Sequence, residues 1–374
     1  MLATDTTLFF RHRSEEGTAP SAGTPLIDLP LAGRPDRTPP AAGARPGLGP
    51  PSVSVVVPTY RRPEMLRRCL AALAAQSLPP ERYEVIVCDD EPGAPTRTVV
   101  DGFRAGVEQG GLPGLRYLPV TATQGPAGAR NAGWRAALAP VIAFTDDDTI
   151  PDPGWLESGL ESMTSGVAAA TGRIVMPIPD KPSDQQRDAG GLRLAEFATA
   201  NCFVRTDALE AVGGFDERFR LAWREDSDLH FSLIEQGCRI AWAPRAVVHH
   251  PLRPAPFAAG LAMQRKVMFD VLLYRKHRGL YRRRIRKHPP WFYLLVTACL
   301  AAAVLALLSG EAMIAGVCAA LWLALSLGFF AHRLKGTSLD SRNVADLLLT
   351  SLLIPPLSIF WRMAGILRFG WGMP

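Results

Sequence analysis

The sequence feature that most constrains the fold is a short apolar run that ends in three consecutive aspartates. Residues 141–145 form the run, and Asp146, Asp147 and Asp148 follow it directly. Such a run predicts a buried strand, and open α/β sheets hold their ligands at the carboxyl ends of strands. Three adjacent carboxylates repel one another, so a divalent cation with oxygen ligands, Mg²⁺ or Mn²⁺, is the natural partner. An acidic surface loop is the alternative interpretation.

The positive charge of the chain is concentrated in one segment. The formal net charge is +6, and residues 265–287 carry ten Lys or Arg and one acid, so the remainder of the chain sums to −3. One basic patch is not the pattern of a nucleic-acid-binding surface, and we expect no nucleic acid partner. The six cysteines lack metal spacing, which argues against a zinc site or a disulfide framework. No secretory signal is visible.

Five segments of different character follow one another along the chain, at 1–50, 51–260, 261–290, 291–331 and 332–374; the first two are described here and the last three below. Residues 1–50 are rich in Pro, Gly and Ala and predict a disordered or loosely attached arm. Residues 51–260 alternate between strand-like and helical stretches, beginning with a βαβ unit that predicts a parallel sheet with a right-handed crossover. Strands are predicted at 52–58, 85–88, 115–118, 171–176, 200–204 and 239–242, and helices at 64–76, 127–138, 206–212 and 229–236. Residues 177–193 predict a flexible loop, which beside a site would act as a lid.

Polar side chains stand where these predicted elements end or begin. Arg130 lies near the start of a predicted helix, where its guanidinium can bind an anionic ligand. The alternative interpretation is an ordinary arginine on the protein surface. Glu225 and Asp226 precede another helix, a place that the helix dipole alone would favour. The pair His249 and His250 ends this part of the chain, and an isolated pair is more often structural than ligating. No GxGxxG follows the first strand, which argues against a dinucleotide-binding enzyme.

Seven short motifs occur in order between residues 52 and 251. They are VVVPTY at 55–60, VCDD at 87–90, GARN at 128–131, FTDDD at 144–148, GGFD at 213–216, EDSDL at 225–229 and VHH at 248–250. In this order they resemble family 2 glycosyltransferases of the GT-A fold, of the membrane-anchored bacterial type. The resemblance implies an α/β fold with a Rossmann-like mixed, mainly parallel sheet and flanking helices. It also implies a nucleotide-diphosphate sugar donor and a divalent metal, Mn²⁺ or Mg²⁺.

The resemblance further implies roles for individual residues. The nucleotide sugar would be bound by Pro58, Thr59, Tyr60, Asp89, Asp90, Arg130, Asp146 and Asp147. The metal would be bound by Asp146, Asp148 and His250, with His249 the weaker choice. Asp226 would be the catalytic base with Glu225 as its neighbour, and the Phe215–Asp216 turn would support the acceptor side.

The chemistry of glycosyl transfer requires these residue types. A departing nucleoside diphosphate develops negative charge that a bound divalent cation stabilises, and an acceptor hydroxyl benefits from a carboxylate base. Direct displacement inverts the anomeric centre, whereas retention needs a carboxylate nucleophile; inversion is here an implication of the resemblance. Two departures are present: Trp-Arg-Glu-Asp replaces the commoner Gly-Glu-Asp, and no QxxRW motif follows His250, which favours a single-transfer enzyme over a processive synthase.

The C-terminal third predicts a membrane attachment. Residues 291–308 and 312–331 are each apolar over nearly the length of a spanning helix, which predicts a transmembrane hairpin at 291–331; a buried soluble helix pair is the alternative. The basic segment 261–290 would hold anionic lipid headgroups, and basic residues on both flanks place the catalytic domain in the cytoplasm, at the inner (plasma) membrane. Residues 332–374 predict a cytoplasmic linker and an apolar segment over 344–361, which could be a third span. Because Asp346 and Pro355-Pro356 interrupt it, an interfacial or re-entrant segment is favoured.

Together these features predict a metal-dependent, inverting, non-processive glycosyltransferase. We expect it to move a hexosyl or related sugar to a hydroxyl of a lipid-linked or saccharide acceptor in cell-surface polysaccharide or glycolipid synthesis. A catalytically degenerate membrane scaffold or sugar-binding subunit is the alternative, and the retained Asp146, Asp148, Asp226 and His250 disfavour it. A transport protein would need more spans and an ionisable residue central to them.

Overall fold

The computed structural model describes residues 50–105, 112 and 114–374. These residues form two compact units. The sheet unit comprises the described residues up to 176 together with 196–251, and the helical unit comprises 177–195 and 252–374. Apart from residue 50, the predicted N-terminal arm lies outside the described residues, so it stays a prediction.

Within the described residues, eight strands form one sheet, and all of them belong to the sheet unit. The strands are β1 (Val53–Thr59), β2 (Tyr83–Asp89), β3 (Leu115–Pro119), β4 (Val141–Phe144), β5 (Ile150–Pro151), β6 (Val167–Val175), β7 (Cys202–Arg205) and β8 (Arg239–His249). Their order is β3-β2-β1-β4-β7-β6-β8-β5. Strands β3, β2, β1 and β4 are parallel, β7 is antiparallel to β4 and β6, β8 is parallel to β6, and β5 is antiparallel to β8. The predicted mixed, mainly parallel sheet is confirmed.

The helices of the described residues follow the chain in this order: α1 (Pro63–Ala74), α2 (Ala94–Ala105), α3 (Pro126–Ala136), α4 (Trp155–Ser162), α5 (Asp184–Gly190), α6 (Thr206–Val212), α7 (Glu225–Glu235), α8 (Ala259–Met263), α9 (Met268–Lys276), α10 (Arg278–Arg284), α11 (Trp291–Leu308), α12 (Ala312–Leu334) and α13 (Ser341–Phe369). Of these, α5 and α8 to α13 belong to the helical unit.

Strand β1 is buried on both faces because apolar layers cover both sides of the sheet. Val55 and Val57 face a core that includes residues of α1, whereas Val56 faces a second core that includes residues of α3 and α7. Successive strand residues point to opposite faces, so a continuous valine run suits this position. Helix α3 approaches the sheet closely: a Cβ added at Gly133 would lie 2.4 Å from Val56 Cγ1.

Several elements of the sheet unit are longer than the sequence predicted, α7 and β8 among them. Helix α7 begins at Glu225 and not at residue 229, so its acids lie inside the first turn. Arg224 precedes it in the left-handed region (φ 75°), and its carbonyl accepts the first helical hydrogen bond, from the Asp228 amide (2.8 Å). The carboxylates of this turn stand where the helix dipole is favourable to them. Strand β8 extends from the predicted 239–242 to His249, pairing with β6 and β5.

The prediction of a flexible loop at 177–193 is wrong for its second half. Helix α5 and a 3₁₀ turn at Gly191–Leu194 occupy it. Ser183 forms a capping box with Gln186: the Gln186 amide donates to Ser183 Oγ (3.2 Å), and the Ser183 amide donates to Gln186 Oε1 (2.8 Å). The Ser-x-x-Gln spacing is a helix-start signal, which the Pro and Gly content of the segment obscured.

The helical unit contains the two predicted apolar helices. Helix α11 has the predicted ends and α12 runs three residues beyond its predicted end, with a turn at 309–311 between them. By length and composition, three helices of the described residues are able to cross a membrane: α11, α12 and α13, with mean hydropathies of 2.4, 2.1 and 1.7. The expectation that Pro355 and Pro356 break the last segment is wrong, because α13 continues through both prolines. Helices α9, α11 and α12 pack against it, and packing against neighbouring helices makes prolines tolerable in an apolar helix.

Candidate active site

The predicted site residues of the sheet unit meet at the carboxyl edge of its parallel strands. Pro58 and Thr59 end β1, Asp89 ends β2 in register with Thr59, and Asp146 follows β4 by two residues. Parallel neighbours bring their carboxyl ends to the same edge, which explains why residues so distant in sequence lie together.

The segment Asp146–Asp148, here called the acidic turn, is a tight turn closed by a threonine. The amide and hydroxyl of Thr149 both donate to the Asp146 carbonyl, at 3.2 and 2.8 Å. The hydroxyl groups of Thr145 and Thr149 lie 2.6 Å apart. The three aspartates do not all share one partner: Asp146 pairs with Arg130, whereas Asp147 and Asp148 both lie near Arg62.

Asp147 points back to the end of β1. Thr59 Oγ1 donates to its Oδ2 at 2.8 Å, and Arg62 Nη1 donates to its Oδ1 at 3.3 Å. Burial, followed by repulsion from Asp148, raises the pKa of Asp147 to about 6. The structure therefore gives Asp147, which the sequence assigned to the nucleotide sugar, contacts that fix the acidic turn to β1.

Asp148 lies beside His250. Asp148 Oδ1 and His250 Nε2 are 3.6 Å apart, and each residue is 8% exposed. The backbone amide of His250 donates to the Val175 carbonyl (2.8 Å), which fixes the histidine at the end of β8. His249 instead contacts the exposed Asp152, with 2.9 Å between Nε2 and Oδ1.

The residues of the acidic turn and His250 offer oxygen and nitrogen donors to a divalent cation. Within the described residues no three His, Cys, Asp or Glu side chains are arranged as a complete metal cage. Mg²⁺ and its analogues in phosphate sites use one or two protein carboxylates, substrate phosphates and waters, so the pair Asp148 and His250 fits such an ion. Asp146, the third predicted ligand, forms an ion pair with Arg130 in this structure.

Arg130 joins the acidic turn to the start of α7. Its Nη2 donates to Asp146 Oδ1 (2.6 Å), its Nη1 donates to Glu225 Oε1 (3.1 Å), and its guanidinium carbon lies 5.9 Å from the centre of the Phe215 ring. The residue is only 3% exposed, which excludes the surface-arginine alternative. Burial alone would lower the pKa of Arg130, but Asp146 and Glu225 raise it overall.

The first turn of α7 presents two carboxylates of different character. Glu225 is buried, and its Oε2 accepts a hydrogen bond from the Trp223 amide (2.7 Å). Asp226 keeps partial exposure, and its Oδ1 accepts from the Ser227 amide (2.6 Å). Burial raises the pKa of both acids, and the charge of Asp226 raises that of Glu225 further. A carboxylate with a raised pKa is a stronger base.

A second group of predicted site residues lies at the carboxyl ends of β1 and β2. Asp89 is fully buried and accepts from the Tyr117 hydroxyl (2.8 Å) and from two loop amides that follow it. Asp90 accepts from the Gly125 amide at 2.8 and 2.9 Å, and Gly125 has a φ of 114° that favours glycine. Tyr60 leaves 47% of its surface exposed. Asp89 thus shapes the loop, whereas Tyr60 and Asp90 border the space beside it.

Asn131 links the GARN and GGFD motifs into one assembly. Its Nδ2 donates to the Phe215 carbonyl and to Glu217 Oε1, both at 2.8 Å, and its Oδ1 accepts from the Phe215 amide (2.9 Å) and from Trp134 Nε1 (2.8 Å). The Phe215 ring contacts Phe144 edge-on at 5.2 Å. These contacts place Phe215 beneath Arg130.

Arg62 is a site residue that sequence reasoning missed. Besides its contact with Asp147, its Nη1 lies 4.0 Å from Asp148 Oδ2. The available signal was its position: a basic residue three places after a strand that ends at the same edge as the acids.

Comparison with known proteins gives the family. Residues 54–215 match the protein family described as Glycosyl transferase family 2, and residues 141–331 match the one described as Glycosyl transferase family group 2. The chain is 28% identical to Glycosyltransferase AglE of Haloferax volcanii and 30% identical to Succinoglycan biosynthesis protein ExoM of Rhizobium meliloti. Each match covers 54% of this chain, and 68% and 67% of those proteins. The chain spans about half the length of other glycosyltransferases that it matches, from Mycobacterium tuberculosis and Streptomyces hygroscopicus.

A solved structure supports the fold. The mannosyltransferase PcManGT from Pyrobaculum calidifontis, solved with GDP-Man and Mn²⁺, is 21% identical, with a TM-score of 0.50 over 87% of this chain and 90% of that one. This likeness agrees with the predicted GT-A fold. The class of the protein follows from the family matches: it is a glycosyltransferase. Because the family-group match covers just over half of its 374 residues, the chain belongs to glycosyltransferase family 2.

Proposed function

We propose that the protein is a metal-dependent, inverting, non-processive transferase that moves a sugar from a nucleotide-diphosphate donor to the hydroxyl of a membrane-associated acceptor. The observation that carries this proposal is the Arg130 bridge. One guanidinium contacts both Asp146 of the acidic turn and Glu225 at the start of α7. The acidic turn, suited to a metal-bound donor, and the first turn of α7, which carries Asp226 next to Glu225, therefore border the same space.

On the donor side, Asp148 and His250 would hold a divalent cation, with Asp146 near it. Such an ion would act as a Lewis acid toward the departing diphosphate. The neighbour PcManGT, solved with GDP-Man and Mn²⁺, supports this choice of cofactor and donor class. Tyr60 and Asp90 would border the nucleoside, since the tyrosine ring is half exposed and the Asp90 carboxylate is held by the Gly125 amide.

On the acceptor side, Asp226 would take the proton from the incoming hydroxyl. It is the partly exposed acid of the pair, and burial raises its pKa, which favours proton uptake. Glu225 is committed to Arg130 and to the Trp223 amide, so it acts as a positioning residue. With Asp226 serving as base, the hydroxyl would displace the diphosphate directly, and hence with inversion.

An acceptor carried on a lipid would explain the apolar helices. Helices α11 and α12 are long and apolar enough to cross a membrane. Tethering the enzyme to a bilayer would bring the site to a lipid-linked saccharide of a cell-surface polysaccharide or glycolipid pathway, and would place the sheet unit in the cytoplasm.

Transfer assays with a panel of nucleotide sugars and lipid-linked acceptors test the proposal. Asp226→Asn keeps the size and hydrogen bonding of the side chain but removes the base. We expect kcat to fall by roughly 10²- to 10⁴-fold, while donor binding stays near that of the wild type. Asp152→Asn, at the exposed contact with His249, is the matched control and should keep full activity. Wild-type turnover of Asp226→Asn would show that this carboxylate is not the base.

A further inference from the structure

Helix α13 of the helical unit is apolar on the outside and turns six polar residues to the inside. Its buried polar residues are Asn343, Asp346, Thr350, Ser351, Ser358 and Arg362. Every exposed residue between 343 and 367 is apolar: Ala345, Leu348, Leu353, Phe360, Met363 and Leu367. A surface helix of a soluble protein shows the reverse pattern. The outer face of α13 is therefore suited to hydrocarbon, which leaves open whether the helix crosses the bilayer or lies along it.

The first half of α13 has partners at the end of α12, where Arg333 donates to Thr350 and Ser351, and at the start of the segment that leads to α11. The Ala258 amide, one residue before α8, donates to Asp346 Oδ1. A Cβ added at Gly260 in α8 would lie 3.6 Å from Ile354 Cδ1. The N-terminal half of α13 thus lies against α8.

The partners of the second half come from α9 and α10. A Cβ added at Gly365 would lie 2.7 Å from the Met268 carbonyl at the start of α9, so the two backbones are in close contact there. Beyond the end of α13, Arg282 Nη2 in α10 donates to the Met373 carbonyl (2.7 Å). Helix α13 and the residues that follow it, up to Met373, therefore run in the same direction as α8, α9 and α10.

A buried ion pair fixes this arrangement in the middle. Arg362 Nη2 of α13 lies 3.6 Å from Asp270 Oδ2 of α9, and the two residues are 1% and 2% exposed. Separating α13 from α9 would break the ion pair between Arg362 and Asp270 in a buried environment, which costs free energy. The two helices therefore have to occupy the same depth in a membrane.

That depth is set by the basic side chains of α9 and α10. Arg275, Lys276, Arg278 and Arg283 are exposed, and they precede the apolar helix α11. If α13 crossed the bilayer, α9 and α10 would be carried into the hydrocarbon with these charges, which is costly. Cations preceding a spanning helix belong in the headgroup region.

We infer that α13 lies along the membrane interface and does not cross the bilayer, with the face from Leu348 to Leu367 resting on lipid acyl chains. The basic residues of α9 and α10 then contact anionic headgroups at the same level. Exposed tryptophans mark this level at both ends of the assembly: Trp291 at the start of α11 and Trp371 after α13. Among the described helices, α11 and α12 would supply the crossings. The inference depends on the membrane insertion of α11 and α12, not on the transfer reaction.

Spin labels placed along the outer face measure depth directly. Leu348→Cys, Phe360→Cys and Leu367→Cys would each be introduced into the full chain, with the partly exposed Cys238 and Cys318 replaced by alanine. Vesicles of phosphatidylcholine and phosphatidylglycerol receive the labelled protein, and oxygen and a water-soluble nickel chelate report the depth of each nitroxide. Leu321→Cys on α12 is the deep reference.

An interfacial helix predicts the same shallow depth at all three sites, well above that of the α12 reference. A crossing helix predicts that Leu348 and Leu367 differ in position along the membrane normal by about 28 Å, with Phe360 deeper than both. That profile would overturn the inference. So would full nickel access at all three sites, which marks a helix in water, or protection from both reagents, which marks a protein contact with a second copy.

A reporter provides an independent measurement that needs no cysteine variant. A fluorescent protein joined after Pro374 should fold and fluoresce in cells, and so should one inserted in the 336–340 linker. A periplasmic phosphatase inserted in the 309–311 turn should be active. Phosphatase activity at the position after Pro374 would contradict the inference. Since none of these readouts involves sugar transfer, failure of the proposed function would leave them unchanged.

Discussion

Two buried arginines, one in each unit, are held by different kinds of partner. Arg130 in the sheet unit and Arg333 in the helical unit are each 3% exposed. Arg130 directs its two terminal nitrogens at carboxylates, those of Asp146 and Glu225. Arg333 directs its own at one carboxylate, that of Asp184, and at the hydroxyl groups of Thr350 and Ser351.

The surrounding charge differs accordingly. Around Arg130 and Arg62 the sheet unit gathers five acids, namely Asp146, Asp147, Asp148, Glu225 and Asp226. Around Arg333 the helical unit gathers two acids, Asp184 and Asp188, and two further cations, Arg187 and Lys266. The second cluster has two acids against three cations and therefore no surplus of negative charge, as expected of a structural contact. The first carries a surplus of negative charge, which proteins tolerate chiefly where a ligand or cation is to be bound.

The largest effect should come from removing each arginine in turn. Arg130→Met leaves Asp146 and Glu225 without their cation, so we expect a stability loss of about 3 kcal/mol and a fall in kcat of the folded fraction of at least about 100-fold. Arg333→Met should cost a similar stability, again about 3 kcal/mol, with kcat of the folded fraction kept. Thermal unfolding and initial rates in one detergent measure both quantities.

Arg130→Lys sharpens this experiment. Lysine keeps the charge but cannot donate to both acids in the geometry of a guanidinium fork. We expect stability closer to the wild type and a kcat between those of the wild type and Arg130→Met. Equal losses of kcat in the Arg130 and Arg333 methionine variants would contradict the distinction between the two clusters.

A pH effect of middle size is expected in the helical unit. Burial, followed by repulsion from Asp184, raises the pKa of Asp188 to about 7. An acid with a raised pKa holds its proton in the folded state when the unfolded chain has lost it, so stability falls as pH rises from about 4 to about 7 and is then constant. Asp188→Asn should remove a loss on the order of 2 kcal/mol, discounted for partial exposure.

The difference in Tm between wild type and Asp188→Asn, measured at pH 5 and pH 8, checks this expectation. The Tm of Asp188→Asn relative to that of the wild type should be higher at pH 8 than at pH 5. Asp180→Asn, on an exposed neighbour, is the control and should shift neither value. A gap that is the same at both pH values would exclude titration of Asp188 as the cause.

The smallest effect concerns the cap of α5. Ser183→Ala removes the hydroxyl that accepts from the Gln186 amide, so we expect a loss of about 1 kcal/mol, or roughly 2 °C in Tm. The exposed Ser165→Ala serves as the reference substitution. An unchanged Tm would mean that the capping box contributes nothing to the stability of the helical unit.

The parts of the fold that were predictable are those whose pattern is local. The valine run of β1, the ends of α11 and the exact span of α6 follow from periodicity and composition. Predictions failed where a long-range contact decided the outcome. Helix α13 continues through Pro355 and Pro356 because its neighbours pack on it, and β8 extends to His249 because β5 and β6 pair with it.

The site shows the same limit. The positions of the predicted acids were predictable, since motif order places Asp146, Asp148 and Asp226 at the ends of predicted elements. Their partners were not, because a sequence does not state which carboxylate a buried guanidinium will meet. In the structure, Thr59 and Arg62 donate hydrogen bonds to Asp147, and Arg130 donates to both Asp146 and Glu225.

The most direct test of the account is the affinity of the full chain for Mn²⁺, measured by electron paramagnetic resonance in the presence of a nucleoside diphosphate. The account predicts that Asp148→Asn and His250→Ala each weaken Mn²⁺ binding at least about tenfold, a change of about 1.4 kcal/mol, while Asp152→Asn binds like the wild type. Wild-type affinity in both Asp148→Asn and His250→Ala would contradict the placement of the cation at the acidic turn.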